Sequence, residues 1–268
     1  MNLRIEHVES DNGPTPYWHR QRILFTEASV TVERGIRPHL ALELNAPVRL
    51  VRSRIRYEDL GGQPFTPIPP DTHHRNETLT GVSDPRAFVH FGAVAGMWSV
   101  GARVGASVPI GRTEPNPFEL GRLGLPHQHI QFGTGTWDPI VSLDASHALG
   151  SVTLRVGSYT RFSLYENTHG YRPGNLYDFN LIASRRLWGL WGGFLGTDFT
   201  REEAERWSGR LEEEGNLGRT DVTMSVGVGR PVPGVGNLTL TTIVPIHSKA
   251  RGEQSETPLA FSVRWSPF

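Results

Sequence analysis

Trp98-Ser99-Val100-Gly101-Ala102-Arg103-Val104-Gly105-Ala106-Ser107-Val108-Pro109-Ile110 sorts its side chains into two sets by position alone. Side chains alternate faces along an extended strand. Trp98, Val100, Ala102, Val104, Ala106, Val108 and Ile110 therefore share one face, and Ser99, Gly101, Arg103, Gly105, Ser107 and Pro109 the other. One face is apolar along its whole length, and the other is polar or tiny.

The same period of two recurs from end to end. Ala28, Val30 and Val32 interleave with Glu27, Ser29, Thr31 and Glu33; Val152, Leu154 and Val156 with Thr153, Arg155 and Gly157; Val222, Met224, Val226 and Val228 with Thr223, Ser225, Gly227 and Gly229. Leu238, Leu240, Val244 and Ile246 share a face, as do Leu259, Phe261, Val263 and Trp265. The pattern predicts about twelve strands of membrane-barrel length, near 2–10, 20–33, 38–58, 84–95, 97–110, 129–147, 151–165, 175–188, 190–200, 220–231, 237–248 and 258–268. The apolar parity of Leu40 to Leu50 changes at Val51, Ile55 and Tyr57, which predicts a β-bulge there. Arg201 to Trp207 has helical propensity.

Links alternate between tight and long. Arg34-Gly35-Ile36-Arg37, Ala95-Gly96, Ala148-Leu149-Gly150, Trp188-Gly189-Leu190 and Val232 to Gly236 read as turns, whereas 11–19, 59–83, 111–128, 166–174, 201–219 and 249–257 are long and polar. Strict alternation gathers the turns at one end of the sheet and the loops at the other. The expected fold is all-β: a single-domain antiparallel up-and-down transmembrane β-barrel over 1–268, with short periplasmic turns, long extracellular loops and lipid against the apolar stripes.

Composition removes several function classes. Twenty-seven basic and 27 acidic residues leave a formal net charge of +0, so no global field favours nucleic acid. Only Lys249 is a lysine, which makes the arginine preference chain-wide and weak as evidence of selectivity. The absence of cysteine excludes disulfides, thiolate metal sites and cysteine nucleophiles. Met-Asn-Leu-Arg-Ile-Glu-His lacks the pattern of a signal peptide, so export implies a leader removed ahead of this sequence.

The terminal strand with Phe268, the segment from Gly111-Arg112-Thr113-Glu114 to Asp138-Pro139, and above all His127-Gln128-His129-Ile130-Gln131-Phe132-Gly133-Thr134-Gly135-Thr136-Trp137-Asp138-Pro139 resemble bacterial outer-membrane barrel proteins. The nearest likeness is to the family grouped with the meta-pathway of phenol degradation, outer-membrane transporters. The resemblance implies location and architecture, and hands over no catalytic or binding residue. Trp265 and Phe268 have opposite parity with Pro267 between them, a departure from the outward alternation usual at such ends.

With the apolar stripes toward lipid, the opposite faces supply lumen-lining candidates: Glu27, Glu33, Glu43, Arg49, Arg103, Arg155, Arg161 and Arg264, with Arg52, Arg54 and Arg56 beside them. Bases outnumber acids in this set, which favours an anion-accepting pore; mutual pairing and a filled interior is the equal alternative. Trp98, Trp188, Trp191, Trp265 and Phe268 fall near the turn end and suit an interface aromatic girdle; Trp18 and Trp207 fall at the loop end. His127 and His129, with His73 or His74, are weak metal candidates, since spacing fixes no third ligand. Glu212-Glu213-Glu214 reads as a solvated run.

The expected function is a channel in the cell outer membrane for passive passage of small hydrophobic or anionic solutes. Its partners are membrane lipid and those solutes, and it has no cofactor. The alternative is a structural barrel with a closed lumen that docks proteins through its extracellular loops. An enzyme is not expected: an outer-membrane lipase needs histidine and serine two apart on the lipid face, whereas His247-Ser248 and Ser146-His147 are adjacent.

Overall fold

The computed structural model describes residues 2–9, 16–67, 76–127, 129–252 and 257–267. Its elements are β1 (Asn2–Glu9), β2 (Tyr17–Arg37), β3 (Leu40–Asp59), β4 (Glu77–Val82), β5 (Arg86–Ala95), β6 (Trp98–Ser107), α1 (Pro117–Arg122), β7 (Asp138–Leu149), β8 (Val152–Arg161), β9 (Tyr171–Arg172), β10 (Leu176–Arg186), β11 (Gly192–Glu202), β12 (Arg206–Trp207), β13 (Asn216–Val232), β14 (Gly236–Gly252) and β15 (Ala260–Ser266). The main sheet runs β1-β2-β3-β5-β6-β7-β8-β10-β11-β13-β14-β15, with β4 also on β3 and the short pair β9-β12 apart from it. Each strand pairs antiparallel with its neighbour in the chain, apart from these short additions, and the meander curls into a half-barrel. Among the described pairings none joins β1 to β15.

The register keeps each apolar stripe on one side: Val89↔Val104↔Val141 across β5, β6 and β7, and Val228↔Leu240↔Val263 across β13, β14 and β15. Val104 is 51% and Val263 70% exposed. Large side chains so exposed across a whole wall are the inverse of a water-soluble barrel and suit a lipid-facing surface.

Four sequence expectations are corrected. The first turn is Pro38-His39, because β2 continues through Arg34–Arg37. The strand expected over 129–147 begins at Asp138, and 129–137 is an irregular loop stretch. Arg201 to Trp207 is not helical: the ladders of β11 with β10 and β13 hold the chain extended to Glu202, and β12 follows. The helix lies instead at α1, where Asn116 caps it by accepting from Phe118 N and Glu119 N at 3.1 and 3.3 Å, with Pro117 in the first turn.

The fourth correction concerns the bulge. Register between β2 and β3 is unbroken from Tyr17↔Asp59 to Gly35↔Ala41, so β3 has no bulge at Val51. The irregularity is in the next strand: β3 pairs Val48↔Val82 with β4 and Asn45↔Arg86 with β5. Four steps along 82–86 thus oppose three along 45–48, and Ser83-Asp84-Pro85 absorbs the extra residue. The parity change at Val51 has a different cause. Above it the inner face turns apolar, with Ile23, Val51 and Phe132 forming a buried cluster backed by Phe25, Leu79 and Ile130.

Candidate functional site: the inner wall and its mouth

The inner wall carries a chain of charges from strand to strand. Arg49 Nε meets Glu27 Oε2 at 2.7 Å, Arg103 Nε meets Glu43 Oε2 at 2.9 Å, and His90 Nδ1 lies 2.9 Å from Glu33 Oε2. Asp144 then stands between Arg103 at 3.7 Å and Arg155 at 3.8 Å. The Arg103–Glu43 and His90–Glu33 contacts join strands that are not neighbours, since β5 lies between β3 and β6 and β3 lies between β2 and β5. Side chains converge so only on a concave face. Partly exposed pairs contribute little to stability, roughly 0–1 kcal/mol each; what they set is the charge of the wall.

Most of the sequence-derived set faces this way. Arg161 also does, but its Nη2 donates to Gly174 O at 3.3 Å and serves the loop above. Arg264 lies opposite Thr239 on the polar face of β15. Arg52, Arg54 and Arg56 do not join them: they share the parity of Leu42, Leu44 and Val48 and are exposed on the outer face. Inward carboxylates at Asp144, Asp178 and Asp198 were passed over in sequence, although each alternates with apolar neighbours (Leu143, Phe179, Phe199) that mark the opposite face. Thr200 Oγ1 donates to Asp178 Oδ2 at 2.8 Å. Farther round, the wall is small-sided, with Ser184, Gly192, Gly196, Ser225, Gly229 and Thr239 inward.

At the loop end, residues 108–127 and 129–137 leave the wall and cross the mouth. Their anchor is Asp84, 7% exposed at the bulge. Its carboxylate accepts Gly111 N at 2.8 Å, Thr134 N at 2.6 Å and Thr134 Oγ1 at 3.0 Å. The two passes of the segment touch there: a Cβ on Gly133 would lie 2.7 Å from Gly111 Cα and 2.5 Å from Asp84 Oδ1. Only glycine fits that crossing. On one side Phe132 buries itself against Ile23 and Val51, and its ring would meet a Cβ on Gly81 at 3.4 Å. On the other, Phe118 of α1 packs with Tyr171 and Trp207. Arg122 Nη1 reaches Glu212 Oε1 at 3.6 Å, so this member of the triple-glutamate run is tied to the bridge.

Beneath Trp207, Glu205 Oε1 accepts from Trp207 Nε1 at 3.0 Å and Asn216 N at 3.2 Å. Burial pushes its carboxyl above the usual carboxylate range, against the pull of those bonds. Burial likewise raises the Tyr171 hydroxyl, which stays protonated.

The remaining sequence candidates sort by exposure. Trp98, Trp188 and Trp265 are 52%, 64% and 59% exposed beside short turns. Trp191 is half-buried with Arg230 over its ring at 5.3 Å, and lines a hollow of about 510 Å³ with inward residues such as Phe194 and Thr239. Phe268 lies outside the described residues. So do His73 and His74; the rings of His127 and His129 stand 5.1 Å apart. His127 is buried, with Nδ1 2.8 Å from Leu125 O. Ser248 Oγ donates to Asp221 Oδ1 at 2.6 Å on the inner face, while adjacent His247 pairs with outward Val222, so the two do not meet. The His147 ring lies tilted against Trp98, centroids 4.3 Å apart.

No family model and no curated protein matches this sequence. Among solved structures, the fold is similar to an outer membrane channel from Pseudomonas putida F1, with a TM-score of 0.57 and 11% identity over 98% of this chain and 89% of that one. The outer membrane protein OmpT of Vibrio cholerae also aligns, at a TM-score of 0.43 and 9% identity over 97% and 90% of the two chains. At such identity the first likeness is one of fold. The chain has the architecture of an outer-membrane β-barrel; the narrower resemblance to the phenol-degradation family rests on the quoted residues alone.

Proposed function

We propose that the protein lies in the outer membrane as a passive channel for small polar solutes, narrowed at its outer mouth by residues 108–137. The observation that carries this reading is the inversion of the two faces: an apolar outer wall around an inner wall of ion pairs, hydroxyls and glycines. The anion preference expected from the sequence loses its support here, because Arg49, Arg103 and Arg155 each meet a carboxylate, and Asp178 and Asp198 add acid. A pore lined this way discriminates weakly between ions.

The test is current through a planar bilayer in a potassium chloride gradient. Expected are stepwise openings with a reversal potential near zero, moving toward anion selectivity in Asp178→Asn/Asp198→Asn. Absence of any step above the empty bilayer overturns the channel. The bridged mouth favours a second reading, a barrel with a closed lumen that docks proteins through its loops, and silence in both the native chain and a variant with the bridge released supports it.

A further inference from the structure

The outer face of β2 and β3 changes character abruptly toward the loop end. On β3 the outward residues run Leu42, Leu44, Val48, Leu50 and then Arg52, Arg54, Arg56; on β2, Leu24 gives way to Arg22 and Arg20. The register sets Arg22 opposite Arg54 and Arg20 opposite Arg56. Arg20 is occupied, with Nε 2.9 Å from Glu58 Oε2 and its guanidinium 5.4 Å over Trp18. Arg22, Arg52, Arg54 and Arg56 make no ion pair among the described residues and are exposed. On β1 the register places Arg4 opposite Arg22 and Glu6 opposite Arg20. The five arginines edge a groove of about 710 Å³ together with Thr78, Glu77 and Glu58, the last already engaged by Arg20.

Like charges directly opposite one another destabilise a strand pair, so a bare arginine ladder on an outer wall calls for a counter-ion. Its height says which kind. From Leu40 to Leu50 is ten residue steps, which at about 3.3 Å each and a tilt of 35–45° spans roughly 23–27 Å along the membrane normal. That is the height of the apolar band of such barrels, about 25 Å. Arg52 therefore begins where hydrocarbon ends, at the level of the outer lipid headgroups.

We propose that this arginine ladder binds the phosphorylated sugar headgroup of an outer-leaflet saccharolipid of the lipid A type, whose acyl chains lie along Leu42, Leu44 and Val48. The guanidinium fork suits phosphate bidentately, and the β3 column of Arg52, Arg54 and Arg56 with Arg22 beside it on β2 offers several forks to a headgroup carrying two phosphates. The inference rests on the membrane placement proposed above.

The protein, folded in detergent, is titrated with bis-phosphorylated lipid A and followed by native mass spectrometry, with monophosphorylated lipid A, phosphatidylglycerol and inorganic phosphate as comparison probes. Heat-shifted gel mobility confirms folding. Arg22→Gln/Arg52→Gln/Arg54→Gln/Arg56→Gln is expected to lose at least about tenfold in affinity for bis-phosphorylated lipid A, and the native chain to prefer that lipid over the other probes. Equal affinity in the folded variant overturns the proposal, as does equal binding of phosphatidylglycerol or inorganic phosphate by the native chain. If the quadruple change blocks folding, Arg52→Gln/Arg54→Gln is read the same way. Cell fractionation reads the membrane placement separately: a chain found in the outer membrane that binds lipid A no better than its variant loses this inference alone.

Discussion

Replacing Asp84 by alanine should open the outer mouth. The carboxylate holds Gly111 N, Thr134 N and Thr134 Oγ1 at 2.8, 2.6 and 3.0 Å, and these bonds fix both passes of residues 108–137 to the wall. Hydrogen bonds to a charged group contribute about 1.5–3 kcal/mol each, but water partly replaces them once the mouth loosens, so roughly 3–6 kcal/mol is the expected loss for the set. That corresponds to an increase of about 10²–10⁴ in the local opening equilibrium. Hydrogen exchange at the Gly111 and Thr134 amides should accelerate by that factor while the amides of β6 and β7 stay protected. In planar bilayers the variant should show larger or longer-lived conducting steps than the native chain. Unchanged exchange at those two amides together with unchanged conductance would refute the role given to Asp84.

Gly133→Ala should reproduce the Asp84→Ala behaviour, because the added methyl collides with Gly111 Cα and Asp84 Oδ1. Combining the two changes should be far from additive, since both undo one contact set, and additive conductance changes would count against a shared anchor. The loop around Glu205 should respond to pH. Its carboxyl is raised by burial, so the packing of Trp207 is at full strength below the ordinary carboxylate range and weakens as pH rises through the raised value. Glu205→Gln keeps the acceptor oxygen and should abolish that dependence; proteolysis of the 203–215 loop between pH 4 and 8 is the readout, and an identical pH profile in both proteins would count against it.

The barrel wall was legible because its two faces meet different solvents, which writes a period of two into segments such as Trp98 to Ile110. The turn and loop alternation was legible too, down to Gly96, Gly150 and Gly234. β4 escaped because Ser83-Asp84-Pro85 displaces its parity from that of β5. The pairing of Arg103 with Glu43 escaped because the two lie 60 residues apart on strands separated by β5, and only curvature brings them together. Asn116-Pro117 was a readable helix start, outweighed by the propensity of Arg201 to Trp207, where two neighbouring ladders decide the matter. The mouth was the least legible part. Asp84 lies 50 residues from Thr134, and nothing in the alternation of either stretch announces their contact.

The departure of the chain from β6 after Ser107 has a consequence for membrane depth. Val108 N still reaches Pro85 O at 2.8 Å, but beyond it the chain turns to the mouth, and among the described residues β4 pairs with β3 alone. The far edge of β4 is therefore a row of backbone amides and carbonyls that hydrocarbon cannot satisfy. Acyl chains must stop below it, which sets a ceiling near the Val48↔Val82 pair. The backbone thus draws the waterline within a few residues of where Leu50 gives way to Arg52, without reference to any charge or aromatic ring.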